Sequence, residues 1–230
     1  MKKGSIVIIL ILALTGSLFA GDLASFMNLG FSEDSRYFMF GQYGITGETT
    51  LPYGEIYLVD VHRNRFVPRG VWEKTFSHPP QAGQNGSGAL LTLFWEARER
   101  AQELKISPLS KGRMVYLLVN GEEPKSQVSF RDFKRGSQYA VTLNQQQFTG
   151  PSGISAAFHL NLAVTDKGGD IKTYTIGLPN YKREGVRQYR IRQIFFAPDE
   201  ASLVFVVERE EAAATGAVNI RYMVETVYLN

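Results

Sequence analysis

The sequence predicts a mainly β protein: antiparallel sheets, arranged as a sandwich or a small propeller-like body, with one amphipathic α-helix near residues 88–104. Three observations predict it. Apolar and polar residues alternate through most of the chain, the period at which strand side chains take opposite faces. Clusters of Gly, Asp, Asn and Pro separate the alternating runs and supply turn geometry. One segment, 89–104, breaks the alternation with three- and four-residue spacing.

Strands are expected at 36–43, 55–61, 113–119, 127–130, 138–148 and 154–165, then at 171–177, 189–196, 202–208 and 220–229. The clearest hairpin turns through Asp166-Lys167-Gly168-Gly169-Asp170, whose glycines permit the positive φ of a tight reversal. In the helix, Leu90, Leu93, Phe94, Ala97, Ala101 and Leu104 share one face, while Glu96 and Arg100 are placed to pair at i,i+4. Ser87 is the expected N-cap. The preceding stretch 78–88, with Pro79, Pro80 and three glycines, matches neither G-x-G-x-x-G nor the Walker pattern and is a linker.

Residues 1–20 carry the pattern of a secretory signal peptide: Lys2 and Lys3, an apolar run from Ile6 to Leu14, and Leu18-Phe19-Ala20, with cleavage expected between Ala20 and Gly21. A membrane anchor needs ~20 apolar residues, and Thr15-Gly16-Ser17 interrupts this run first. Export to the periplasm or beyond is expected, followed by one mainly β domain over 21–230. The chain holds 25 Lys+Arg against 22 Asp+Glu. Lys2 and Lys3 leave with the signal, so the remainder is nearly neutral and lacks the basic excess of a nucleic-acid binder. With 44% hydrophobic residues the chain is no disordered tail, and with Cys 0 it has no disulfide scaffold, thiolate nucleophile, Cys-built zinc site or lipoprotein signal.

An internal repeat is the sharpest feature. The run from Phe31 to Phe40 (FSEDSRYFMF) superposes on that from Phe196 to Phe205 (FAPDEASLVF) without a gap, and the same offset carries Tyr57-Leu58-Val59-Asp60 onto Tyr222-Met223-Val224-Glu225. Upstream, Phe26 and Leu29 fall on Ile191 and Ile194. One supersecondary unit is therefore expected near 24–61 and again near 189–228. Its Asp34 and Asp199 are suited to close turns by accepting nearby backbone N–H groups.

This unit resembles a blade of the Tol-type β-propellers, whose repeats read F-S-P-D-G, then an apolar strand, then I-Y-x-x-D. Glu33, Ser35, Ala197, Glu200 and Arg221 depart from that pattern. The middle of the chain shows no further copy, so a sandwich or distorted barrel with two blade-like hairpins stands beside the propeller. Over the whole chain, the segments from Asn28 to Ser32, Tyr37 to Gly44, Glu55 to Val61 and Asn64 to Pro68, with Phe196-Ala197-Pro198-Asp199 and Arg221 to Glu225, resemble an uncharacterised family of predicted secreted bacterial proteins. That resemblance implies export and a shared fold, and no activity or catalytic residue.

Residues for chemistry are sparse. His62, His78 and His159 lack metal-ligand spacing, and Ser87 lacks the nucleophile-elbow context. Asp34, Asp199, Asp60 and Glu225 have structural roles open to them in turns and at strand ends. Asp166 and Asp170 offer too few oxygens for calcium. No cofactor and no metal are expected. Lys182, Arg183, Arg187, Arg190 and Arg192 form the one local cluster of charge. Arg190 and Arg192 share a strand face, either as an anion-recognition strip or as a solvated face balanced by Glu208 and Glu210. The loops 45–54 and 210–219, with Tyr43 and Tyr53 flanking the first, occupy equivalent places in the two copies and are the candidate binding edge. The expected role is non-catalytic: binding an envelope protein or glycan, or a structural part there. The rival is a glycan-acting envelope hydrolase.

Overall fold

The structure, a computed structural model, describes residues 21–151, 153–213 and 216–229, so the signal peptide expected at 1–20 lies outside the described residues. In chain order, β1 (Ser25–Ser32), β2 (Tyr37–Ile45), β3 (Pro52–Asp60) and β4 (Arg65–Thr75) form a meander. Helix α1 (Ser87–Glu103) and the short β5 (Ile106–Ser107) follow, then β6 (Arg113–Leu117). Next come β7 (Gln127–Asp132), β8 (Ser137–Gly150), β9 (Gly153–Thr165), β10 (Ile171–Ile176) and β11 (Arg183–Glu184). A second meander of β12 (Val186–Phe196), β13 (Ser202–Ala212) and β14 (Val218–Tyr228) ends the fold. Three antiparallel sheets result: an N-terminal one ordered β4-β3-β2-β1-β5, a middle one ordered β10-β9-β8-β7 with β11 on β9, and a C-terminal one ordered β14-β13-β12-β6.

The C-terminal sheet lies between the other two. Leu203-Val204-Phe205-Val206-Val207 is apolar without a break, the composition of a strand covered on both faces. In β13 every residue from Ser202 to Glu208 is buried. Leu203, Phe205 and Val207 pack on Val141, Phe158 and Leu160 of the middle sheet. Val204 and Val206 face the other way, onto Phe31, Phe38 and Phe40 of the N-terminal sheet. The far side of that sheet, with Met39, Ile56 and Leu58, receives Leu90, Leu93, Ala97 and Ala101 of α1. The molecule is thus a stack: helix, N-terminal sheet, C-terminal sheet, middle sheet. The sandwich expectation holds. The propeller-like one does not, because the sheets lie face to face in layers and the middle sheet belongs to neither repeat copy.

The two copies, β1-β2-β3 and β12-β13-β14, occupy consecutive layers rather than one sheet, and their turns meet: the Asp199 N–H donates to Ser35 Oγ at 3.1 Å. Each turn is closed as the sequence predicts. Asp34 Oδ1 accepts from the Arg36 N–H (3.1 Å), and Asp199 Oδ1 from the N–H groups of Ala201 and Ser202. Ser35 and Glu200, where the blade pattern has Gly, both take left-handed backbone, φ 59 and 58. The first two strands of each copy start in one register, Phe31 opposite Phe38 and Phe196 opposite Leu203. The third does not: Phe38 faces Val59, whereas Leu203 faces Val227 rather than Val224. The second hairpin is three residues longer, and an odd slip turns β14 over relative to the aligned sequence.

Other details differ from expectation for identifiable reasons. The Ser87 N–H is held by Asn85 Oδ1 (3.0 Å), and the helix end carries no side-chain cap, so Ser87 is its first residue and not its N-cap. Glu96 pairs with Lys74 on β4 (2.7 Å) and Arg100 with Glu103, because β4 runs beneath that flank of the helix. Strand β4 itself escapes sequence reading: it is an edge strand containing Pro68, with Arg69 at φ 56 where the register against β3 breaks. The hairpin at 166–170 forms as expected, Asp166 Oδ1 accepting from the Gly168 and Asp170 N–H groups.

Two stability outcomes follow from this packing. Phe205→Ala, in the doubly covered strand, is expected to cost ~3–5 kcal/mol, against ~0.5 kcal/mol or less for Phe133→Ala at a surface site, both read from urea denaturation. Ser35→Ala is expected to cost ~1 kcal/mol by orphaning the Asp199 N–H. Ser35→Gly, which loses the same bond but relieves the left-handed backbone, is expected to cost less by the same measurement.

Candidate functional site

The outermost strands β4, β14 and β10 of the three sheets come together at one corner. Between them lies a crevice of about 500 Å³. Its first wall is the turn from β3 to β4. Asn64 holds left-handed backbone (φ 48), which Asn tolerates better than most residues. From there its side chain crosses to β14: Oδ1 accepts from the Thr226 N–H at 2.7 Å and Nδ2 donates to Glu225 Oε2 at 2.5 Å. Thr226 Oγ1 answers by donating to the Val61 carbonyl at 2.6 Å. The turn is therefore fixed to β14, and Arg63, Arg65 and Phe66 line the crevice beside it.

The second wall is β14. Its slipped register turns Glu225 toward the middle sheet, where Gly177 follows β10 with φ 88. A Cβ there would make only an ordinary contact with the Glu225 carboxyl at 3.4 Å, so it is the left-handed backbone that favours glycine at this position. Glu225 is buried, and burial pushes its carboxyl above the usual glutamate range, against the opposing pull of the Asn64 bond and the Arg183 charge. Arg183, on β11, completes the lining. Its guanidinium lies 4.8 Å from the Tyr181 ring centroid and 5.4 Å from that of Phe158. Its buried Nη1 has no hydrogen-bond partner among the described residues. Ile176, Leu178, Val224 and Val227 contribute the apolar surface.

The residues singled out from sequence are distributed differently. Tyr53 is buried, not on a loop rim: its hydroxyl donates to Asp22 Oδ1 at 2.9 Å, and the Arg221 guanidinium sits 4.7 Å from its ring centroid. Burial raises its hydroxyl well above the ordinary tyrosine range. Tyr43 points to the opposite face and packs in the helix-side core. Arg190 and Arg192 do share a face. Arg190 is engaged by Glu208 (3.3 Å) and Glu210 (2.9 Å), the balancing acids named from the sequence, and Arg192 donates to Asn120 Oδ1. Arg187 is half-buried, its carbonyl accepting from Gln147. These residues do not gather into one site. Arg183 alone of the basic cluster reaches the crevice.

His62 stands 4.0 Å from Asp199 and against the Tyr228 ring, and no group of three or more His, Asp or Glu converges as a metal site among the described residues. Asp60 is held by Arg36 (3.5 Å) and Arg63 (3.9 Å). The crevice escaped sequence reading because its parts lie on separate elements and because the gapless alignment treated Glu225 as a counterpart of Asp60. The usable signal was the pair of cations Arg63 and Arg65 beside Asn64.

Fold and crevice together define a layered antiparallel β-sandwich with a cation-lined corner pocket. The chain belongs to the family described as Predicted secreted protein (DUF2259), which matches residues 39–228. No curated protein and no solved structure matches it. Among the described residues no helix is long and apolar enough to cross a membrane.

The Glu225 carboxyl binds its proton more tightly in the folded than in the unfolded chain, so its stabilising contribution is full below the ordinary glutamate range and is lost as pH rises through the folded-state value. Glu225→Gln is expected to raise the thermal midpoint at pH 8 and to leave it unchanged at pH 4. A pair of melting curves at those two values checks the sign.

Proposed function

We propose that this secreted protein is a non-catalytic binding module of the cell envelope and that the corner crevice is its ligand site. One observation carries the reading: the guanidinium-bearing residues Arg63, Arg65 and Arg183 line a pocket with apolar walls in which Glu225 is the only carboxyl group among the described residues. Hydrolysis of a glycosidic bond needs two carboxyl groups facing across it, and Glu225 is already tied to Asn64. The arrangement suits holding a ligand rather than transferring protons to it. The partner is an envelope molecule, a protein or a glycan, that presents an acidic group to the crevice. Cleavage between Ala20 and Gly21 fits this scheme, because Asp22, with its bonds to Tyr53 and Arg221, stays on the mature chain.

Photo-crosslinkers placed at Phe66 and Leu178, on the exposed rim, test the reading in producing cells. Both positions are expected to yield the same discrete adduct, lost on Arg63→Gln/Arg65→Gln, while Leu91 on the outer face of α1 yields none. Equal labelling from Leu91, or turnover of an envelope glycan by the pure protein, would reverse the assignment.

A further inference from the structure

The lining of the crevice also specifies what enters it. Three cationic side chains stand against one carboxyl. Arg65 forms no ion pair among the described residues, and Arg63 reaches its acid, Asp60, only at 3.9 Å with 56% of its side chain exposed. Arg183 is the most telling. Its guanidinium packs among the rings of Tyr181, Phe158 and Tyr189 at the crevice wall, and no carboxylate lies within ion-pair distance of it among the described residues. Cations without a carboxylate close by are left with surplus charge, and an oxyanion is the group whose geometry a guanidinium fork satisfies.

The rest of the pocket constrains what carries that oxyanion. Ile176, Leu178, Val224 and Val227 present aliphatic surface, and Phe66 stands at the mouth. A hydroxyl-rich sugar ring laid on such walls would leave its hydroxyls unpaired, whereas an alkyl or Leu-like group gains by leaving water. Glu225, the one carboxyl in the lining among the described residues, opposes an anion beside it, and the three guanidiniums outweigh it. The volume of about 500 Å³ lies within the range of small-ligand pockets.

From the surplus of guanidinium groups over carboxyl groups in the lining and from the aliphatic walls, we infer that the crevice binds a carboxylate or phosphate borne on an aliphatic group. Such chemistry is supplied by an acyl chain or by the C-terminal carboxylate of a peptide ending in an apolar residue. The inference rests on the crevice being a binding site; it keeps a protein terminus among the partners proposed above, sets the glycan aside and adds an acyl chain.

Titration calorimetry on the full mature chain tests it with octanoate, octyl phosphate, N-acetyl-leucine, octanol and glucuronate. Octanoate or octyl phosphate is expected to bind if the source is an acyl chain, and N-acetyl-leucine if it is a peptide terminus. Octanol and glucuronate are each expected to bind at least about tenfold more weakly than the best of these three. Arg63→Gln/Arg65→Gln, at exposed positions, is expected to weaken binding by about tenfold or more with the melting midpoint of the free protein retained. Arg183→Gln is expected to do the same, and the exposed pair keeps the test decisive if that variant is unstable. Octanol binding as well as octanoate, or binding that survives the arginine substitutions, overturns the oxyanion assignment. Glucuronate binding alone overturns the aliphatic one while leaving the crevice as a ligand site. No binding by any probe overturns the inference, and the crosslinking at Phe66 and Leu178 then judges the crevice by itself.

Discussion

The fold depends on one strand being covered on both faces. Leu203, Phe205 and Val207 are part of one core, Val204 and Val206 part of the other, so β13 binds the middle and N-terminal sheets to the sheet between them. A strand in that position cannot alternate polar with apolar residues, since either face would bury an unpaired polar group. Where the strand leaves the stack its sequence changes: after Val207 come Glu208, Arg209, Glu210 and Glu211, and exposure rises beyond Glu208. The pairing of Arg190 with Glu208 and Glu210 belongs to that transition. It neutralises charge where the apolar interface ends.

The outer edge of the C-terminal sheet is closed by polar groups of its neighbour. The Ile220 N–H donates to the Asp22 carbonyl, that of Tyr222 to Gln42 Oε1, and that of Thr226 to Asn64 Oδ1. These are alternate positions on the side of β14 away from β13, the side that would otherwise offer free donors to another chain. Gln42 is fully buried and also donates to Glu55, while Asp22 is tied to Arg221 and Tyr53. The crevice arises from the same arrangement. Drawing the β3–β4 turn onto β14 through Asn64 places Arg63 and Arg65 over Glu225, and the middle sheet brings Gly177 and Arg183 from the other side.

Much of the architecture was legible in the residues. The alternating runs located most of the longer strands, the three- and four-residue spacing located α1 to within two residues at its start, and Asp34 and Asp199 were assigned to the turns they close. Strand β4 was lost because Pro68 and Arg69 interrupt its alternation at a register break. The repeat was read correctly over two strands and wrongly over the third. Similar residues, Tyr-x-Val followed by an acid, recur at the gapless offset, but hydrogen-bond register is set by hairpin length, which the gapless alignment ignores. Candidate binding residues were placed on the loops and in one basic cluster, and of that cluster Arg183 reaches the crevice.

The secondary structure class, the position of the helix, the turn chemistry and the membership in a predicted secreted family were legible along the chain, because they follow from local periodicity and from residues near one another in sequence. The order of the layers, the facing of Glu225 and the meeting of Arg63, Arg65 and Arg183 were decided only in three dimensions. Each depends on the register of β14 in its hairpin and on which sheet packs on which face of β13, and that packing joins segments more than a hundred residues apart, where local pattern carries no information.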